Sequence, residues 1–153
     1  MSKSWNREEI ELAFKHYVET ARNCAHTGSW GELADLFTDN LRYFSNGDLV
    51  WQSRNQLRNG IIEFYSEFPF SQLGDFELIW HVIDEENGRV VFAMNAVMTD
   101  PGDGSSLSAY VLIHIQYAGD NQWAFEEDWF KLDDYTQMAE QWTAIRGADS
   151  ALE

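Results

Sequence analysis

The 153-residue chain is short of cysteine, of positive charge and of long apolar runs, and each shortage removes a class of function. With Cys24 its one cysteine, it has no intramolecular disulfide and no cysteine-based metal cluster. Ala21, Arg22 and Asn23 continue a helical pattern into Cys24, so a packed thiol is expected there rather than a nucleophile. Ten Lys plus Arg stand against 26 Asp plus Glu, a formal charge of −16. A surface of that sign repels phosphate backbones and anionic lipid, so neither a nucleic acid nor a membrane partner is expected. No apolar run approaches the roughly 20 residues of a membrane span, and the opening MSKSWNREEIE is too polar for a signal peptide. A cytoplasmic protein is the expectation. The histidines show no HxH or HxxxH spacing, so no metal site is expected. The segment Asp100-Pro101-Gly102-Asp103-Gly104-Ser105 lacks the lysine of a phosphate loop and reads as a hairpin turn, and no cofactor is expected.

What the chain has in excess is aromatic. Seven Trp, six Tyr and ten Phe exceed what a small core requires. The surplus suits core packing, a pocket for a flat apolar ligand, or a subunit interface. The length fits a single domain with a sizeable core, spanning 1–153.

Helices come first. Ile10, Ala13, Phe14, Tyr17, Val18 and Ala21 form one stripe at helical spacing, broken at His26-Thr27-Gly28. A short second helix is predicted from Ser29, with Ser29 as N-cap and Glu32 completing a capping box. Leu41-Arg42-Tyr43-Phe44 reads as a short strand ending in an Asn46-Gly47 turn, and a third helix is predicted from about 54 to 68. Four strands follow, at 76–83, 89–99, 106–117 and 122–132, separated by turn clusters. A last short helix or coil is predicted over 133–145, packing Tyr135, Met138 and Trp142, with a frayed tail over 147–153. This order predicts an α+β fold: a curved antiparallel sheet wrapped around helices, leaving a cone-shaped cavity.

The last strand carries the functional signal. In Trp123-Ala124-Phe125-Glu126-Glu127-Asp128-Trp129-Phe130, three acids interrupt a run of strand-forming aromatics. Strict alternation puts Ala124, Glu126, Asp128 and Phe130 on one face and Trp123, Phe125, Glu127 and Trp129 on the other. Whichever face is covered takes a carboxylate with it. A buried carboxylate costs several kcal/mol or raises its pKa, which is how acid/base sites are made. Asp128 is the expected general acid or base, with Glu126 beside it in the substrate pocket. Tyr17 and Tyr43 are candidates for stabilising developing charge, and His81 and His114, both mid-strand, for proton transfer. Ser45, Asn95, Phe130 and Trp51 complete the expected substrate contacts. Trp123, Phe125 and Trp129 are expected to form a homodimer through the outer sheet face.

Tyr17-Val18 on the first helix, LADLFTDNLRYF leading into the first strand, and the acidic-aromatic last strand together resemble the nuclear-transport-factor-2-like superfamily. Within it the chain resembles the SnoaL-like polyketide cyclase group. The resemblance spans roughly residues 8–142, with DPGDGS, YAGD and EEDWF similar to a bacterial subgroup. It implies a cofactor-independent lyase, isomerase, cyclase or dehydratase acting on a small apolar, aromatic or polyketide-like substrate. A non-catalytic binding or assembly module of the same fold is the alternative. The resemblance places Asp128 where cyclases and limonene-epoxide hydrolases carry an acid/base aspartate, and Tyr43 and Ser45 near the hydrolase's water-orienting pair. Ala93 and Asn95 stand where the hydrolase has an arginine and a second aspartate. Tyr17 matches the oxyanion-binding tyrosine of ketosteroid isomerase, while Ser45 and Ile113 stand in place of its base and its second oxyanion acid.

Overall fold

The apolar stripe that begins at Ile10 becomes α1, Arg7–Thr27, in the computed structural model, which describes residues 5–151. Asn6 caps it by accepting the Glu9 N–H at 2.8 Å, and Gly28, left-handed at φ 79°, closes it on the Cys24 carbonyl. Its buried face presents Phe14 and Tyr17 edge-on to Phe92. α2, Gly31–Ala34, is a single turn. Ser29 does not cap it: Trp30 occupies the N-cap without a side-chain hydrogen bond, and the Ser29 N–H is held by Thr27 Oγ1. Burial of Trp30, Leu33 and Ala34 holds this turn in place of a capping box.

β1, Phe37–Ser45, is longer than the sequence suggested, and the Asn46-Gly47 turn, both residues at positive φ, returns it as β2, Asp48–Trp51. α3, Arg54–Phe64, is capped by Ser53 and stops four residues before the expected end. Pro69 disfavours helical geometry just ahead of it, and a 3₁₀ turn at Phe70–Gln72 leads into the sheet. Arg54 locks α3 to β1 by donating to the Phe37 carbonyl at 2.8 Å.

The remaining strands are β3, Leu73–Asp84, β4, Arg89–Met98, β5, Ser108–Gly119, and β6, Gln122–Trp129, followed by α4, Leu132–Ala151. The sheet order is β2-β1-β6-β5-β4-β3, antiparallel throughout except that β1 runs parallel to β6. The result is the expected α+β architecture, a curved sheet around helices. α4 buries Tyr135 and Met138, and Trp142 donates its indole N–H to the Thr99 carbonyl at 2.8 Å. The helix continues through Gly147 to Ala151, past the expected start of a frayed tail; residues 152–153 lie outside the described part.

One irregularity corrects the strand parity read from the sequence. Tyr117 pairs with Trp123 and Gln116 with Phe125, so Ala124 is an extra residue on β6. Beyond it Glu126 and Asp128 face inward as expected. Before it the parity reverses, and Trp123 is a fully buried core residue instead of an interface residue.

Candidate active site

The helices and the concave side of the sheet enclose a cavity of about 280 Å³. Tyr17 and Ala21 of α1 and Leu33 of α2 form its roof, with Ile61 of α3. Met94 of β4 and Val111 and Ile113 of β5 form its apolar floor. Trp30, Trp51, Phe64, Tyr65, Phe70, Phe76, Phe130 and Tyr135 supply aromatic walls. Among the described residues no Lys, Arg or His lines it.

Two carboxyls from β6 enter this space. Because β1 lies parallel against β6, Tyr43 falls beside Glu126 and Ser45 beside Asp128 in register. Asp128 accepts hydrogen bonds from Tyr43 Oη and Ser45 Oγ, both at 2.7 Å, one on each oxygen. Glu126 is 2% exposed and accepts a 2.5 Å hydrogen bond from Tyr17 Oη on Oε1; its Oε2 is buried without a partner. Residues two apart on one face of a strand are about 6.5–7 Å apart, close enough for both carboxyls to meet one small molecule.

Environment separates the two acids. Burial pushes Glu126 from its ordinary 4.5 up to about 8, against the pull of the Tyr17 hydrogen bond and with the push of the Asp128 charge. Burial also raises Asp128, but the Ser45 and Tyr43 hydroxyls both act to keep it ionised. One acid therefore has two donors and the other has one donor and a bare oxygen. Of the two, Glu126 holds a proton the more readily, and Asp128 is the better placed to be ionised. Tyr17 and Tyr43 lie well above the ordinary phenol range, first through burial and then through the neighbouring carboxylates, so both remain protonated donors.

Of the residues singled out in the sequence, Tyr17, Tyr43, Ser45, Trp51, Glu126, Asp128 and Phe130 come together here. His81, His114 and Asn95 do not. His81 is exposed on edge strand β3, its ring against Phe14 at 5.0 Å. His114 points to the opposite side of β5, where Nδ1 meets Glu127 Oε1 at 2.9 Å. Asn95 alternates with the inward Met94 and Ala96 and so faces out. Sequence reasoning missed Trp30, Tyr65 and Phe76 as walls. Their only signal was the aromatic excess, since Trp30 stacks on Tyr65 across two helices with centroids 3.6 Å apart.

Trp51 owes its place to a glycine. Gly60 lies inside α3, where alanine would favour the helix by about 1 kcal/mol. A Cβ at Gly60 would overlap the Trp51 indole, which also packs on Tyr43 at 4.9 Å. Gly60→Ala is expected to keep the fold but displace Trp51, weakening any cavity ligand at least tenfold in a binding titration. Unchanged affinity would show that Trp51 is not a wall of the site.

No group of three or more His, Cys, Asp or Glu among the described residues is arranged to hold a metal ion, and none of their helices is long and apolar enough to cross a membrane. No protein-family model matches the sequence, and no curated protein matches it significantly. Solved structures do match. A SnoaL-like polyketide cyclase, so described, from Jannaschia sp. CCS1 superposes with a TM-score of 0.67 at 11% identity, covering 91% of this chain and 96% of that one. An LEH-like epoxide hydrolase from M. tuberculosis gives 0.66 at 12% identity, covering 94% and 93%. An epoxide hydrolase/cyclase-like enzyme with a role in pyran-ring formation in the polyether salinomycin gives 0.63 at 14%, covering 84% and 95%. Identities this low speak to the backbone and leave the chemistry to the side chains. In strand order, helix placement and enclosed cone, the chain has the nuclear-transport-factor-2-like fold shared by the SnoaL-like proteins.

Proposed function

We propose that the protein is a cofactor-independent acid/base enzyme that moves a proton on a small, mostly apolar or aromatic substrate held in the cone. The observation that carries the reading is the pair of inward carboxyls with separated affinities for a proton. Such separation distinguishes an acid from a base within one site. Asp128, ionised and held by Tyr43 and Ser45, takes a proton from a carbon acid of the substrate. Glu126, protonated at neutral pH, donates toward the oxygen on which charge develops, and Tyr17 steadies the Glu126 carboxylate that results. The enol formed this way is common to isomerisation, dehydration, lyase and aldol-type cyclisation chemistry. β4 offers Phe92, Met94 and Ala96 inward, so the arginine and second aspartate of the epoxide hydrolases have no counterpart in the cavity wall. Proton transfer at carbon suits these side chains better than epoxide opening.

An assay independent of the natural substrate tests this. In D₂O at pH 7, the protein is expected to speed deuterium exchange at the α-carbon of 2-indanone, followed by proton NMR. Asp128→Asn and Glu126→Gln should each remove the acceleration. Binding of 2-indanone without accelerated exchange would favour a non-catalytic binding module.

The same reading includes a homodimer through the outer sheet face. Trp80, Val82, Tyr110 and Trp129 lie there 42, 59, 44 and 46% exposed, an apolar surface unusual for a monomer. Sedimentation velocity at micromolar concentration is expected to show a dimer, and a monomer under those conditions would remove this part of the proposal.

A further inference from the structure

We infer that the cavity is built for an organic cation: an ammonium group, up to quaternary, carried on an apolar or aromatic body. The inference rests on the cavity being the substrate site and adds the charge of the substrate. Its first support is which hydrogen-bonding atoms remain for a guest. The Tyr17 hydroxyl is turned to Glu126, and those of Tyr43 and Ser45 to Asp128. Those donors are spent on the protein's own carboxyls, and what they leave facing a guest is lone pairs. Glu126 Oε2, buried and unpartnered, holds the proton while Glu126 is neutral and joins that set once Glu126 ionises.

The second support is charge. The titratable groups around Glu126 are Tyr17 from α1, Tyr43 from β1, Tyr65 at the end of α3 and Asp128 on β6, and Tyr135 on α4 faces Asp128. None of them can carry a positive charge, and among the described residues no Lys, Arg or His reaches the cavity. An anionic guest would face two carboxyls and no counter-charge, and a neutral guest would leave the Asp128 charge uncompensated in a poorly screened space. A cation compensates it. The third support is the wall itself: Trp30 stacks on Tyr65, Tyr43 meets Trp51, and Phe64 meets Phe70 at 4.1 Å. Ring faces carry partial negative charge and hold ammonium groups without needing an N–H. A cation seated on the rings leaves Asp128 free for the proton.

The test compares dissociation constants, by ligand-observed NMR on the full chain, for benzyltrimethylammonium, its neutral carbon isostere neopentylbenzene, and phenylacetate. At pH 7 the cation is expected to bind at least tenfold tighter than the hydrocarbon, with no saturable binding of the carboxylate. The preference should increase from pH 7 to pH 9 as Glu126 ionises, and Glu126→Gln should abolish that increase. Asp128→Asn should reduce the preference to within about threefold. Equal or tighter binding of neopentylbenzene or phenylacetate overturns the inference. So does a cation that does not saturate, or a preference that survives both substitutions and therefore reflects only the acidic surface. Exchange of 2-indanone separates the two proposals. Exchange without cation preference sinks this inference alone, whereas cation preference without exchange sinks the catalytic reading alone.

Discussion

Glu126→Gln is expected to slow 2-indanone exchange by roughly 10²–10⁴-fold, the usual contribution of a positioned acid, and to make the protein more stable above pH 8. The two effects share one cause. In the fold the Glu126 carboxyl keeps its proton up to about pH 8, while its ordinary value is 4.5. Between those values the unfolded chain binds fewer protons than the folded one, so stability falls as pH rises through that window and is flat on either side. That gap corresponds to a loss on the order of several kcal/mol across the window for a fully buried group. Glutamine is uncharged at every pH, and its oxygen still accepts the Tyr17 hydroxyl. Urea unfolding at pH 5 and pH 9 should therefore show the wild type losing several kcal/mol and the variant much less. A variant that loses activity and follows the wild-type stability curve would mean that Glu126 is already ionised in the fold.

Asp128→Asn should be as damaging to exchange, roughly 10²–10⁴-fold, because it removes the base itself. Its effect on Glu126 has the opposite sign to that of losing Tyr17. The Asp128 charge pushes Glu126 up, and the Tyr17 hydrogen bond pulls it down. Without that charge the Glu126 transition should move below pH 8, and Tyr17→Phe should move it higher. The substitution is sterically mild: the asparagine oxygen accepts one of the Tyr43 and Ser45 hydroxyls, and its amide donates to the other. Carbon-13 NMR of the labelled Glu126 carboxyl checks both shifts. A Glu126 transition unmoved in Asp128→Asn would mean that the two carboxyls do not sense each other.

Much of this site was visible in the sequence because it sits on regular periodicity. Tyr17 belongs to the α1 stripe, and Glu126 and Asp128 to one face of a strand whose neighbours are aromatic. What was illegible depended on pairing. The parallel contact of β1 with β6 places Tyr43 and Ser45 against the two acids, and no local pattern encodes it. Asp128 stood out in the sequence as the principal acid, yet Glu126, flanked by Ile115 and Tyr43, proves the more deeply buried and the more strongly shifted, while Asp128 is partly buried. The extra residue at Ala124 reverses strand parity, which is why Trp123 was misplaced while its neighbours were not. The histidines misled for a related reason. A mid-strand position among apolar residues marks a strand but not a face, and His114 sits on the outer one beside Phe125.

The division of roles between the two carboxyls requires Glu126 to be a neutral acid at physiological pH, and carbon-13 NMR of protein labelled at the glutamate carboxyls reads that directly. One resonance, absent from the Glu126→Gln spectrum, should titrate near pH 8. If that resonance titrates near 4.5 with the surface glutamates, the division of roles between the two carboxyls is contradicted.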